Sequence, residues 1–181
     1  MDADLTSPPG LYRIRSLGEY LTPSADDAPE DSPVLLHAME RVEYWAARSF
    51  RTSLASTSTV RRLADRWLDP TLLVLAVCKR QGGVFQERIS VGRTAHSDVC
   101  LPYPKVSKLH AYFRATDDGA TYELFDANST NGTLVDGARL KSSVPQRLPE
   151  DCVIRFGKHD VRFLMPAAFQ RLLADFRAAQ A

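Results

Sequence analysis

The sequence predicts a mainly β fold, an antiparallel β-sandwich preceded by amphipathic helices and followed by one more helix. Short strand-like runs separated by turn signals fill the region from about residue 71 to residue 165, and apolar residues fall at helical spacing on both flanks. At 181 residues the chain holds one full-sized domain with an appendage rather than two average domains.

Four segments follow from the pattern. Residues 1–33 form a head and an acidic, Pro-containing linker that is partly flexible: Ser24 to Pro33 combines four acids with two prolines. Residues 34–70 form a helical extension. Val34, Leu35, Ala38, Met39, Val42, Trp45 and Ala46 share one helical face up to Phe50. After a Ser/Thr-rich connection from Thr52 to Thr59, a second helix carries Val60, Leu63, Ala64, Trp67 and Leu68 before Pro70 ends it.

Residues 71–165 form the sandwich. Leu72 to Val77 reads as a buried strand, and Gln81-Gly82-Gly83 turns it into Val84 to Val91 as a hairpin. Further strands are expected at Asp98–Leu101, His110–Ala115, Thr121–Asp126, Gly132–Val135, Arg139–Lys141, Cys152–Phe156 and Val161–Met165, with turns at Asp117-Asp118-Gly119, Asp136-Gly137 and Gly157-Lys158. Residues 166–181 form a C-terminal helix whose stripe of Phe169, Leu172, Leu173 and Phe176 must pack on the sandwich or on the N-terminal helices.

Composition bounds the function. With 23 basic and 22 acidic residues the net charge is +1, which argues against a general binder of nucleic acid or of anionic membranes. Any anion site must be local. Cys78, Cys100 and Cys152 sit in apolar, strand-like runs and read as small buried hydrophobes in a reducing compartment, not as a disulfide or a metal site. The first residues lack the charge and apolar run of a signal peptide, and no stretch approaches the roughly 20 apolar residues of a membrane span, so a cytoplasmic location is expected. No P-loop, His-Glu-x-x-His or paired-cysteine spacing occurs, and Ser107 with His110 lacks the Gly-x-Ser-x-Gly setting of a hydrolase nucleophile. No catalytic constellation, cofactor or metal is expected.

Three loop motifs carry the chemistry: Val91-Gly92-Arg93 with Ser97-Asp98-Val99, then Val106-Ser107-Lys108-Leu109-His110-Ala111, then Asp126 through Thr133 with Asn128-Ser129-Thr130-Asn131-Gly132 at its centre. In this order, and on this strand pattern, the region from about 72 to 165 resembles the forkhead-associated (FHA) family.

The resemblance implies a sandwich whose end loops hold a phosphothreonine peptide, and the residue types suit that task. Arg93 presents a planar fork of N–H donors to a phosphate dianion. Ser107 can donate its hydroxyl and Lys108 a second positive charge or a backbone donor. Thr130 corresponds to the position that lies against the phosphothreonine, and Asn131 to the amide that bonds the peptide backbone just after it, being donor and acceptor at once. A preference for threonine over serine would come from a hollow for the γ-methyl, worth roughly 0.8 kcal/mol by area. Gly92, His110 and Gly132 are implied to be scaffolding, with His110 positioning Ser107. Leu109 and His96 depart from the family's usual residue types without removing a phosphate ligand, and Thr133 to Lys141 gives no rule for target preference.

The function implied is a non-enzymatic adaptor that binds a threonine-phosphorylated protein, a Ser/Thr kinase or its substrate, and makes assembly depend on phosphorylation. The alternative is a phospho-independent scaffold or a homo-oligomerising protein that uses the sandwich and the flanking helices, and a homodimer fits either. Partner, kinase and peptide preference are not encoded in any motif.

Overall fold

The computed structural model describes residues 15–21, 31–38, 67, 69–80, 85 and 87–180. In chain order the elements are β1 (Arg15–Ser16), α1 (Leu17–Tyr20), β2 (Val34–His37), β3 (Leu73–Ala76), β4 (Ile89–Gly92), β5 (Val99–Cys100), β6 (Ala111–Ala115), β7 (Tyr122–Asp126), β8 (Thr133–Val135), β9 (Ala138–Arg139), β10 (Gln146–Arg147), β11 (Asp151–Phe156), β12 (His159–Leu164) and α2 (Pro166–Gln180). They build a seven-stranded sheet in the order β1-β3-β2-β12-β11-β8-β9 and a five-stranded sheet in the order β10-β7-β6-β4-β5. The named strand pairings are antiparallel except β4 with β5, which is parallel.

The two sheets face each other across one apolar core. Along β6, Ala111 and Phe113 are buried while Tyr112 and Arg114 point the other way, the period-two alternation that a strand with one core face requires. Phe113 stacks on Phe163 of β12 across the gap, with ring centroids 5.8 Å apart, and Val91, Leu124, Ile154 and Phe156 fill the space around them. This is the sandwich that the strand pattern predicts.

The outer face of the seven-stranded sheet is buried as well. Phe169, Leu172, Leu173 and Phe176 of α2 join Leu17 and Tyr20 of α1, Trp67, and Val34, Leu36, Val74 and Leu164 of the sheet in a second apolar cluster. The C-terminal stripe therefore packs on the sandwich.

Four expectations change. Val34–His37, expected as the first turn of a helix, is a strand hydrogen-bonded between β12 and β3. Its four residues are all buried because the sheet is covered on both faces, and a run apolar on both faces carries no period that separates strand from helix. The remainder of that helix and the second helix lie outside the described residues, apart from Ala38, Trp67, Asp69 and Pro70, as do Gln81-Gly82-Gly83 and the run Thr52 to Thr59. The hairpin expected around those glycines is not one: β3 belongs to the seven-stranded sheet and β4 to the five-stranded one, so the chain changes sheets between them. Cys78 and Cys100 are half-buried and only Cys152 is buried, with its thiol pushed up to about 12 by burial, and none of the three is in a disulfide. Finally, β1 and β10 are strands in places where none is expected, each two residues long.

If α2 closes the outer face as described, Phe169→Ala removes a fully buried ring from the second cluster. A loss of about 3–5 kcal/mol of unfolding free energy is expected, read as a lowered urea midpoint with little change in slope.

Candidate functional site

Three loops meet at one end of the sandwich. The first leaves β4 at Gly92 and carries Arg93. A Cβ on Gly92 would collide with the Lys108 carbonyl oxygen and come within 2.7 Å of Ser97 Oγ, so only glycine lets this strand end approach the Ser107 loop. Arg93 N–H donates to Ser107 O at 3.0 Å, and its exposed guanidinium makes no hydrogen bond or ion pair with any described residue.

This first loop is held from behind by Asp98 of its own motif together with Lys79, Arg80 and Ser90, which no motif singles out. Asp98 is buried, and its carboxylate accepts from Ser90 Oγ at 2.7 Å, Ser90 N at 2.8 Å, Lys79 Nζ at 2.9 Å and Arg80 N at 3.0 Å. Burial would raise its pKa, yet these donors, the Arg80 N–H foremost, hold it below the ordinary value. The Arg80 guanidinium donates to the carbonyls of Ala95 and, at 3.2 Å, of Ser97. Lys79 and Arg80 follow β3, so a strand of the opposite sheet anchors the Arg93 loop. A separation of 19 residues between Lys79 and Asp98 leaves no local pattern that could reveal the pair.

The second loop carries Ser107 and Lys108. Ser107 N–H donates to Nδ1 of His110 at 3.0 Å, so Nδ1 bears no proton. The proton of the neutral ring then sits on Nε2, which donates to Gly132 O at 3.2 Å. His110 is fully buried, edge-on to Phe156, and burial lowers its pKa against smaller opposing effects from the Gly132 carbonyl and Asp126. Lys108 is exposed, and its side chain has no partner among the described residues.

The third loop runs from β7 to β8 and is wound around a buried carboxylate. Asp126 accepts from Ser129 Oγ at 2.6 Å, Thr133 Oγ1 at 2.6 Å and Ser129 N at 2.9 Å. Burial pushes its carboxyl up, but the Ser129 and Thr133 donors outweigh it and leave the pKa below the ordinary value. Asn128 takes a φ of 59°, the left-handed conformation asparagine tolerates, and so turns Ser129 back toward Asp126. Thr130 is thereby presented outward. Its N–H donates to Ser107 Oγ at 3.1 Å, and the two hydroxyls are 3.4 Å apart. Asn131 Nδ2 donates to Lys105 O at 2.8 Å, leaving its Oδ1 without a partner among the described residues.

The structure thus joins the backbone of Arg93, the hydroxyl of Ser107 and the backbone of Thr130 through Ser107 itself, with Asn131 adjacent. Gly92, His110 and Gly132 lie beneath them, all buried. The arrangement offers a guanidinium and an ammonium that have no partner among the described residues, and two hydroxyls, around a hydrogen-bonded floor, which is the chemistry of an anion site. The two carboxylates that brace these loops, Asp98 and Asp126, are buried and already engaged.

Both the His110 and the two aspartate shifts are downward, so they act on stability with one sign. The unfolded chain takes up protons below the ordinary values of 6.5 for histidine and 3.8 for aspartate before the folded chain does. Stability is full above those values and declines as pH falls through the lower folded-state ones. Denaturant titrations should show a first decline starting below pH 6.5 and a steeper one below 3.8. In His110→Asn, whose amide oxygen can still accept the Ser107 N–H, the first decline should disappear and the second persist.

Residues 89–157 match the family model of the FHA domain. Over 79 residues the chain is 39% identical to an oxoglutarate dehydrogenase inhibitor of Corynebacterium jeikeium (strain K411), covering 44% of this chain and 51% of that protein. Over 83 residues it is 30% identical to kanadaptin of Homo sapiens, covering 41% of this chain and 11% of that protein. Among solved structures it is similar to Mycobacterium tuberculosis EmbR in complex with a low-affinity phosphopeptide, at 29% identity over 43% of this chain and 20% of that one, with a TM-score of 0.38. The chain therefore spans about half the length of one curated relative and about a tenth of the other.

Proposed function

The chain carries an FHA domain over residues 89–157, and we propose that this domain binds a peptide phosphorylated on threonine, making the assembly of its protein with a partner depend on a Ser/Thr kinase. FHA domains belong to the modules that read phosphorylated motifs with arginine. The observation that carries the reading is the unpartnered Arg93 guanidinium standing on a loop whose backbone is bonded to Ser107, itself bonded to Thr130.

Each ligand has a physical role in this reading. Arg93 supplies two parallel charge-assisted bonds to the phosphate, and Lys108 supplies a second positive charge. The Ser107–Thr130 hydroxyl contact is long, at 3.4 Å, so the Ser107 hydroxyl turns to a phosphate oxygen at little cost. Asn131 keeps its amide oxygen available for a peptide N–H while its NH2 group is steadied by Lys105 O. The floor is bonded in advance, so little ordering remains to oppose binding. Among the described residues no helix is long and apolar enough to cross a membrane.

The competing reading is a phospho-independent scaffold whose flanking helices hold a partner. It is weakened because the apolar stripe of α2 is buried against its own sandwich, with Phe169 and Leu173 at most 1% exposed.

Calorimetric titration separates the two. The wild-type chain should bind a phosphothreonine peptide, bind its phosphoserine counterpart more weakly and ignore the unphosphorylated one. Arg93→Ala should weaken binding by about 100-fold or more, the loss of two charge-assisted bonds worth roughly 1.5–3 kcal/mol each. Its unfolding midpoint should not move. A wild-type chain that binds no phosphopeptide, or an Arg93→Ala variant that binds as well, overturns the proposal.

A further inference from the structure

An arginine that is to meet a phosphate needs a fixed backbone behind it, because ordering its long side chain already opposes binding. On one side of Arg93 the chain is fixed: Gly92 ends β4, and Arg93 N–H donates to Ser107 O at 3.0 Å. On the other side Thr94, Ala95 and His96 belong to no strand, and Ala95 and His96 are exposed. Within this turn Ser97 N–H donates to Thr94 O at 3.0 Å. Ser97 Oγ reaches Lys108 O only at 3.4 Å, a weak tie to the second loop.

Arg80 supplies the firmer hold. Its Nη1 donates to Ala95 O and, at 3.2 Å, to Ser97 O, so one guanidinium spans the turn from its tip to its end. The side chain is half-buried, and its own backbone is tethered in turn, with Arg80 N–H donating to Asp98 Oδ1 at 3.0 Å. Asp98 is gripped by Ser90 of β4 and by Lys79, whose ammonium also donates to Arg88 O at 2.8 Å. Both ends of the brace are therefore anchored. Its root follows β3 of the seven-stranded sheet, and its tip holds a loop of the five-stranded one.

We infer that Arg80 is a positioning residue for phosphate recognition: by bonding the carbonyls of Ala95 and Ser97 it fixes the turn that follows Arg93, and so sets the affinity for the phosphorylated ligand by acting through Arg93. The inference rests on the phosphothreonine reading proposed above, in which Arg93 bonds the phosphate. It extends the binding machinery to a segment that no motif singles out. With the brace in place the turn is ordered before the ligand arrives. Without it, binding must order Thr94 to His96 together with the Arg93 side chain, and the affinity falls by that entropy. A guanidinium suits the task, since its donors lie in one plane and its charge does not titrate.

The test is Arg80→Met in the full chain. The substitution removes the side-chain donors, keeps most of the stem and leaves the Arg80 N–H to Asp98 bond, which belongs to the backbone. The probe is a fluorescein-labelled phosphothreonine peptide selected by the wild-type chain from a degenerate library, with binding followed by fluorescence anisotropy. Arg80→Met should weaken binding about five- to tenfold, and by the same factor at low and high salt, because geometry is lost and not long-range attraction. Amide hydrogen exchange of the free chain gives a second readout. The Ser97 N–H, bonded to Thr94 O, should lose protection while the amides of β6 and β7 keep theirs. Arg80→Lys returns a donor to the turn and should recover part of the affinity and part of the Ser97 protection together.

Unchanged affinity in Arg80→Met, or a loss that disappears as salt is raised, overturns the inference. So does a loss accompanied by exposure of the β6 and β7 amides, which is general unfolding, and so does recovery of affinity in Arg80→Lys without recovery of protection. A wild-type chain that selects no peptide overturns the phosphothreonine reading and this inference with it, whereas a wild type and an Arg80→Met that bind alike overturn this inference alone.

Discussion

A neutral imidazole can accept with one nitrogen and donate with the other, and His110 uses both capacities to tie two loops together. Its Nδ1 accepts the Ser107 N–H and its Nε2 donates to Gly132 O, both being backbone groups, so the ring sets the course of the chain on each side of it. Gly132 O takes a second bond from Gly157 N–H, which brings the β11–β12 turn into the same assembly. Each bond contributes only about 0.5–1.5 kcal/mol net, but a buried partner left unsatisfied costs about 1–3 kcal/mol. Since His110 is fully buried, no water can substitute for it. A lysine or arginine has no acceptor and an aliphatic residue has neither function, so the tie needs a side chain that accepts at one end and donates at the other, as the neutral imidazole does.

The buried carboxylates extend the same logic outward. Asp126 winds the Asn128–Gly132 loop from inside and Asp98 fixes the Arg93 loop from behind, each with several short bonds to hydroxyls and amides. Burying an ion is costly unless every lone pair is satisfied, and here it is met by local donors and, for Asp98, by the Lys79 ammonium. The consequence is an electrostatic division. The Asp98 and Asp126 carboxylates are enclosed and hydrogen-bonded by the scaffold, while positive charge on Arg93, Lys105, Lys108, Arg139 and Lys158 stays exposed. A net charge of +1 over the chain is therefore compatible with a strongly cationic rim, because the balance is struck by position and not by composition.

What could be read from the sequence follows the range of the interactions involved. The strands β5 to β8, β11 and β12 announce themselves by alternation and by turn residues, and the loop residues Arg93, Ser107, Thr130 and Asn131 stand in short motifs whose chemistry is local. Where a contact joins distant segments, the linear pattern fails. Val34–His37 is buried on both faces, so its apolar run fits a helix or a strand equally well, and only its partners β12 and β3 decide. The change of sheet between β3 and β4 is invisible to turn chemistry, which reports a reversal without saying onto which sheet the chain returns. Lys79 and Arg80 stand in no motif, and their role is visible only once Asp98 and the carbonyls of Ala95 and Ser97 are seen around them.

The site draws on both sheets, and this joins its geometry to the core. Arg93 and Ser107 stand on loops of the five-stranded sheet, and the Asn128–Gly132 segment is the chain's passage from that sheet to the seven-stranded one. Ser107 Oγ and Thr130 N–H, 3.1 Å apart, therefore bridge a loop within one sheet to a crossover between sheets. Their separation is set by how the sheets pack, through Phe113 against Phe163 and through Phe156 beneath His110. The seven-stranded sheet is in turn held flat between that core and the second cluster under α2. A close-packed interior transmits small displacements instead of absorbing them. The flanking segments thus contribute to the site without touching it: by burying the back of β2, β3 and β12 they fix the surface against which Lys79 and Arg80 can hold the Arg93 loop.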